Sequence, residues 1–163
     1  MKPILWALAA SLSLAGCAGG PAPTAAYHPE AKTYDASRDA SADVDAGLQR
    51  AAANGKHVML VMGANWCHDS RALAGWLETP RFQQLIENEY ELVFVNVGMP
   101  QTGDGHNLDI ARRFGIEKLP DTPNLLVLTP TGSLVNAETA TSWRNAASRS
   151  EDEIYDELAR LAS

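Results

Sequence analysis

The chain has 163 residues, enough for one domain with a substantial hydrophobic core. Apolar residues make up 45% of it and charged residues 20%, as in an ordinary globular protein. The net charge of −7 comes from acidic residues spread along the chain, which argues against a nucleic-acid partner. The sequence has no Walker-type glycine loop, H-E-x-x-H motif or cluster of zinc ligands, so it predicts neither a metal site nor a cofactor.

The first residues have the pattern of a secretory signal peptide. Lys2 is followed by an apolar run at residues 4–14, which is too short to cross a bilayer as a stable helix. The run ends in Leu14-Ala-Gly-Cys17, which resembles the lipobox of bacterial lipoproteins. The resemblance implies removal of residues 1–16, a lipid on the sulfur of Cys17 and anchoring to a membrane. The alternative is an ordinary signal peptide that is cut at another bond.

The residue after Cys17 bears on which membrane carries the protein. In the lipoprotein pattern an Asp there commonly retains the protein at the inner membrane, whereas this chain has Ala18. We therefore expect a protein of the bacterial cell envelope, anchored at the outer membrane and facing the periplasm. Residues 17–40 are rich in Ala, Pro and Gly and predict a tether, with the domain at residues 41–163. Nothing in the sequence shows whether Tyr27 and Tyr34 pack onto that domain.

Hydrophobic spacing, turn residues and caps divide the domain into helices and strands. Helices are predicted at residues 41–54, from Cys67 onward, behind Thr79-Pro80, at 107–114 and at 150–161, the last with a Ser150–Glu153 capping box. Strands are predicted at residues 58–62, 92–97, 124–128 and 133–135, and a loop at 98–105. This order mixes crossover units with a terminal hairpin, so we expect an α/β fold with a mixed central sheet flanked by helices.

Cys67 stands where the strand at residues 58–62 gives way to a helix. Leu73, Trp76 and Leu77 behind it have helical spacing. A thiol in the first turn of a helix faces unpaired backbone N–H groups and the positive end of the helix dipole. Both favour the thiolate, which is the nucleophilic form of cysteine. The pattern therefore predicts an activated sulfur at Cys67.

The segment Gly63-Ala-Asn-Trp-Cys-His-Asp69 resembles the thioredoxin superfamily, and most of all its branch with the motif G-A-N-W-C-x-D-C. The resemblance implies a thioredoxin-like fold over roughly residues 41–162. Ser70 stands where the motif has its second cysteine. A dithiol releases a trapped substrate by attacking its own mixed disulfide, which a lone thiol cannot do. The sequence has two cysteines, and lipidation of Cys17 would leave Cys67 as the only free thiol.

In thioredoxin-like proteins a cis-proline faces the reactive cysteine at the start of the strand before the final hairpin. The resemblance implies that this residue is Pro123, because an apolar strand follows it directly, and Pro120 is the competitor. Thr122 would then present its backbone to an extended substrate chain, which would pair with it as a strand does. Trp66 would pack at the rim of the site.

Residues next to the thiol could tune it. His68, as a cation, would stabilise the thiolate, although a solvated histidine with little effect is the alternative. Ser70 could donate a hydrogen bond to the thiolate. Asp69 would oppose ionisation of the sulfur, but stabilisation of the helix N-terminus is its preferred role. The predicted catalytic residues are thus Cys67, His68 and Ser70.

These features predict a monothiol protein that exchanges disulfides through Cys67, by isomerisation or deglutathionylation. Its expected partners are envelope proteins with cysteines, or small-molecule thiols. One alternative is a non-catalytic module that holds extended peptide in the groove beside Pro123, and another is a thiol sensor oxidised to sulfenic acid. Many thioredoxins carry a buried acid near the position of Val61, and its absence argues against an efficient dithiol reductase.

Overall fold

The structure is a computed structural model that describes residues 28–163. The predicted signal peptide, the lipidation site Cys17 and residues 17–27 of the tether lie outside the described residues. Within residues 28–163 no helix is both long and apolar enough to cross a membrane.

Five helices and five strands form the described chain. The helices are α1 (Ala40–Asn54), α2 (His68–Leu77), α3 (Pro80–Glu89), α4 (Leu108–Arg113) and α5 (Glu151–Leu161). The strands are β1 (His57–Gly63), β2 (Tyr90–Asn96), β3 (Gly98–Met99), β4 (Asp104–Gly105) and β5 (Asn124–Leu128). Short 3-10 turns occupy Pro100–Thr102 and Ala146–Ser148.

The central sheet has the strand order β2-β1-β5. The central strand β1 pairs with β2 in parallel and with β5 antiparallel, so the predicted mixed sheet is confirmed. Residues 58–62 of β1 are fully buried, which explains why they form a continuous apolar run rather than an alternating one. This burial fixes the position of the loop that follows β1 and carries Cys67.

Helices cover both faces of the sheet. On one face Met59 and Val61 pack with apolar residues of α2, α3 and α5. On the other face Leu60 and Met62 pack with α1 and α4. The predicted α/β architecture, a mixed sheet flanked by helices, is therefore correct.

The capping residues set the helix ends close to the predicted positions. Asp39 caps α1 by accepting a hydrogen bond from the Ala42 N–H at 3.0 Å, so α1 begins one residue before the predicted start. Thr79 is the N-cap of α3 and Pro80 its first residue, as predicted. The capping box of Ser150 and Glu153 at α5 is present with both of its hydrogen bonds.

The predicted edge strand at residues 133–135 is not formed. Only an isolated bridge between Leu128 and Leu134 remains of the expected hairpin. The side chain of Asn136 takes the place of a strand: its Oδ1 accepts from Val127 N and its Nδ2 donates to Leu125 O, both at 2.9 Å. A side-chain amide satisfies the edge of β5 because it carries the same donor and acceptor as a peptide group. The predicted loop at residues 98–105 likewise contains the short β3–β4 hairpin.

Residues 28–35, here called the N-terminal strap, pack against the domain. Ala31 N donates to Arg71 O at 3.0 Å, and Tyr34 is only 1% exposed within the core. Gly75 of α2 gives the strap room, because a Cβ there would lie 2.4 Å from the carbonyl carbon of Pro29. The packed unit thus extends upstream of residue 41, into residues predicted as tether.

Candidate thiol site

Cys67 is the N-cap residue of α2 and has extended backbone angles, φ −79° and ψ 125°. Its N–H donates to Ala64 O at 3.1 Å, which closes the turn between β1 and the helix. Its side chain is largely buried, with 8% of the residue exposed. The predicted position of the thiol at the positive end of a helix is therefore correct.

The thiol lies against the backbone that precedes β5. Cys67 Sγ donates to the carbonyl oxygen of Thr122 at 3.3 Å, and Thr122 is itself buried. The Thr122–Pro123 peptide bond is cis, so the proline opposite the thiol is Pro123 and not Pro120. Cys67, Thr122 and Pro123, which are far apart in the sequence, thus form one site as predicted.

Trp66 forms the exposed side of this site. The residue is 48% exposed, and its Nε1 donates to Gly98 O at 2.9 Å. The hydrogen bond attaches the ring to β3, the first strand of the small hairpin. Trp66, the residue before Cys67, is therefore an exposed aromatic side chain held in place by this hydrogen bond, and its role as the rim of the site stays a prediction.

Ser70 faces the interior of the protein. It is fully buried, and its Oγ accepts from the Ala64 N–H at 3.4 Å. Between the described residues Ser70 and Cys67 no side-chain hydrogen bond is formed, so the predicted contact of the hydroxyl with the sulfur is not seen. In this arrangement Ser70 supports the loop behind Cys67.

His68 points toward the N-terminal strap. Its Nδ1 lies 3.0 Å from Glu30 Oε1, and its ring meets that of His28 edge-on, with 4.8 Å between ring centroids. The other carboxylate oxygen of Glu30 accepts from Arg71 Nε at 2.9 Å. This hydrogen bond from Arg71 lowers the pKa of Glu30, so the carboxylate is ionised near neutral pH. The polar partner of His68 is therefore Glu30, a contact that the sequence analysis missed.

Arg71 supports the loop that carries the thiol. Besides Glu30, its guanidinium binds the carbonyl oxygens of Asn65, at 3.2 Å, and Trp66, at 3.0 Å. Both carbonyls flank the turn just before Cys67. Sequence reasoning missed this residue, although its position four residues into the cysteine helix places it one turn from the thiol.

Tyr34 of the strap lies behind the motif. Its hydroxyl donates to Ser70 O at 3.2 Å, and its backbone N–H and C=O both bind the side-chain amide of Asn65. Burial is the main cause that raises the pKa of Tyr34 far above its usual range, and the nearby Cys67 sulfur raises it further. The phenol therefore stays protonated and acts as a hydrogen-bond donor, and Asn65 of the motif joins the strap to the site.

Asp69 has a structural role. Its Oδ1 accepts from the Ala147 N–H at 2.9 Å, which joins the first turn of α2 to the 3-10 turn at Ala146–Ser148. The contact with Ala147 was not predicted, and stabilisation of the helix N-terminus by Asp69 stays a prediction. Across residues 28–163 the buried polar side chains are Ser70, Thr122, Asn124 and Asn136, so this part of the chain holds no buried carboxylate near the thiol.

Comparison with known proteins agrees with this fold. A family model described as thioredoxin-like matches residues 39–130, more than half of the chain. The structure is similar to that of a disulphide isomerase from Xylella fastidiosa Temecula1, with 29% sequence identity and a TM-score of 0.73. That match covers 82% of this chain and 98% of the isomerase chain. No curated protein sequence matches the chain significantly.

The family match spans α1, β1, the cysteine helix and β5, and the described fold brings the cysteine to face a cis-proline. Sequence, fold and site therefore lead to one assignment. The chain belongs to the thioredoxin-like family.

Proposed function

We propose that this protein exchanges disulfides as a monothiol, using the sulfur of Cys67. The observation that carries the proposal is the position of that sulfur, at the N-terminus of α2 and 3.3 Å from the Thr122 carbonyl, with a serine at position 70. The similarity to a protein described as a disulphide isomerase supports the same class of chemistry.

The reaction begins when the Cys67 thiolate attacks one sulfur of a substrate disulfide. A bond forms between Cys67 and that sulfur, and the other substrate sulfur leaves as a thiolate. Because Ser70 has no sulfur, a second thiol must then attack the mixed disulfide and restore the Cys67 thiolate. When that thiol belongs to the substrate, the disulfide is isomerised without net oxidation. When it is a small thiol, the sulfur held by Cys67 leaves as a mixed disulfide with that thiol, and a second small thiol is needed to reduce it.

The surroundings of the thiol fit an extended substrate. Trp66 provides an exposed apolar wall on one side, and Thr122 and Pro123 provide backbone on the other. A chain lying between them would pass its disulfide over Cys67 while its backbone pairs beside Thr122. We infer that the partners are envelope proteins with cysteines, or small thiols that complete the exchange.

A second candidate function is a binding module without chemistry. One observation favours it: the Cys67 sulfur is nearly buried and already has the Thr122 carbonyl as a hydrogen-bond partner. A buried thiol of this kind reacts slowly unless the groove opens. The two functions differ in whether a covalent adduct forms.

The deciding experiment is the capture of mixed disulfides. The full chain with Cys17→Ser, purified in detergent, has Cys67 as its one cysteine and is mixed with ribonuclease A whose disulfides have been scrambled. We expect an adduct that dithiothreitol removes and that is absent from the additional variant Cys67→Ser, together with recovery of ribonuclease activity. If no adduct forms while the variant and parent bind an extended peptide equally, the exchange function is wrong and the binding function holds.

We also propose that a lipid on Cys17 anchors the protein at the outer membrane, facing the periplasm. The motif at residues 14–17 and Ala18 after it support this. Labelling of cells with a palmitate analogue tests it, with Cys17→Ala as the control. Label in the wild type, lost in the variant, is the expected result, and unlabelled wild-type protein would contradict it.

A further inference from the structure

Two histidines and one glutamate from different parts of the chain meet beside the thiol site. His28 and Glu30 belong to the N-terminal strap, and His68 is the first residue of α2. One potential ligand atom from each side chain lies within 4.8 Å of the others. We propose that His28, Glu30 and His68 bind a divalent transition-metal ion of the class that prefers imidazole ligands, such as Zn²⁺.

The distances are close to those of a metal site. Ligands about 2.1 Å from a tetrahedral zinc ion are roughly 3.4 Å apart. Glu30 Oε1 and His68 Nδ1 are already 3.0 Å apart, and the widest separation in the group needs to shorten by about 1.4 Å. The side chains of His68 and Glu30 are 58% and 39% exposed, so packing does not resist this adjustment.

The hydrogen bonds that Glu30 and His28 make are compatible with a role as metal ligands. Arg71 Nε holds Glu30 Oε2 at 2.9 Å, which leaves Oε1 on the side of the histidines. His28 Nδ1 lies 3.4 Å from the Pro29 carbonyl oxygen, so the tautomer protonated at Nδ1 presents Nε2 as a ligand. Ligating imidazoles commonly donate their other N–H to a carbonyl in this way. Arg71 also places a positive charge near the ion, so we expect micromolar rather than nanomolar affinity.

Two imidazoles and one carboxylate form a donor set that suits a transition metal better than Mg²⁺ or Ca²⁺. Three protein ligands also leave coordination positions for water or for a ligand from solution. Bound there, the ion would fasten the strap to the residue next to Cys67. The sequence alone could not suggest this site, because His68 lies 38 positions after Glu30 and 40 after His28.

Calorimetric titration with ZnCl₂ tests the proposal. The protein is the untagged full chain in detergent with Cys17→Ser and Cys67→Ser, so that no thiol binds zinc. We expect one ion per chain, binding at least tenfold weaker in His28→Gln and in His68→Gln, and no comparable binding of Mg²⁺. The matched control is His57→Gln, since His57 lies on β1 beside Tyr90, away from the group, and should leave the affinity unchanged.

Three outcomes would overturn the proposal: no zinc binding, unchanged affinity in His28→Gln, or equal weakening in His57→Gln. His28→Gln is the decisive variant, because among residues 28–163 the His28 side chain hydrogen-bonds only to the adjacent Pro29 carbonyl. Circular dichroism checks that each variant is folded. Since the assay uses protein without Cys67, its result is independent of whether the exchange function is correct.

Discussion

Cys67 and Thr122 are joined by a hydrogen bond from sulfur to carbonyl oxygen, 3.3 Å long, that links the start of α2 to the residues preceding β5. The two residues are 55 positions apart in the chain. A substrate that pairs with the backbone at Thr122 therefore reaches the sulfur at the same time. In the proposed exchange function, substrate recognition and chemistry share this one contact, so changes near it should affect adduct formation more than stability.

Ser70→Cys should convert the site into a dithiol. The new sulfur lies one helical turn from Cys67 and can attack a mixed disulfide formed there, so we expect adducts with scrambled ribonuclease to decay at least tenfold faster. Non-reducing electrophoresis after acid quenching measures their lifetime. Ser70 is fully buried, so the larger side chain should also lower the free energy of unfolding by about 1–2 kcal/mol. The control Ser70→Ala lacks the sulfur, and equally fast decay in it would contradict the explanation.

Trp66→Ala should slow adduct formation with large substrates but not with small ones. In the proposed function the exposed ring contacts an extended partner but not a small disulfide. We therefore expect adducts with a peptide disulfide to form several-fold more slowly and those with glutathione disulfide to form at the parent rate. Stability should fall by no more than about 1 kcal/mol, for the lost hydrogen bond to Gly98. Val135→Ala is the control, because Val135 is similarly exposed, at 42%, but lies beyond β5. Equal slowing with both disulfides would refute a role in substrate contact.

Gly75→Ala should destabilise the protein although alanine favours helices. In an open helix this change stabilises by roughly 1 kcal/mol. Here the added Cβ would lie 2.4 Å from backbone atoms of Pro29 and 2.6 Å from Glu30 N, and the backbone must move away. We expect a net loss of about 1 kcal/mol or more and faster amide exchange in residues 30–35, with α1 as the internal control. Increased stability with unchanged exchange would show that the strap is not packed as described.

Glu91→Gln should make stability less dependent on pH. Glu91 on β2 accepts from Arg50 Nε at 2.6 Å and from Asn54 Nδ2 at 2.7 Å, both on α1. Burial acts to raise the pKa of Glu91, but these hydrogen bonds outweigh it and hold the pKa below its usual value. A lowered folded-state pKa stabilises the fold above the unfolded value of about 4.3, and this contribution is lost as pH falls through the folded pKa.

We therefore expect Glu91→Gln to lose about 1 kcal/mol near pH 7 and to approach the wild type at low pH. Urea unfolding at about pH 7 and about pH 3.5 measures both differences. Glu138→Gln serves as the control, since Glu138 is exposed and takes part in none of the ion pairs among the described residues. A deficit for Glu91→Gln that is the same at both pH values would disprove the assignment.

Short-range patterns predicted most of the fold. The run at residues 58–62, the capping box at Ser150 and the cysteine at the start of α2 all depend on neighbours within a few positions. The choice of Pro123 came from family resemblance together with the strand behind it. These parts agree with the structure because local sequence decides them.

Apart from the pairing of Cys67 with Pro123, which the family resemblance implied, contacts between distant residues could not be predicted. The strap has no hydrophobic periodicity, and its place on the domain depends on Gly75, Arg71 and Asn65, which lie 30 or more positions away. For the same reason the partner of His68 was missed, since Glu30 is 38 positions upstream. Composition identified an Ala/Pro-rich segment but carried no information about the surface against which its last residues pack.

The amide of Asn136 has a consequence for how this protein meets other chains. An open strand edge can recruit a strand from a neighbouring molecule, which leads to aggregation or domain swapping. Along the outer side of β5, Leu125 N donates to Ala140 O, and Val127 O accepts from Val135 N. The side chain of Asn136 accepts from Val127 N and donates to Leu125 O. A second copy finds no unpaired peptide groups at those positions, so the Asn136 side chain, together with the backbone of Ala140 and Val135, closes this edge to a strand from another molecule.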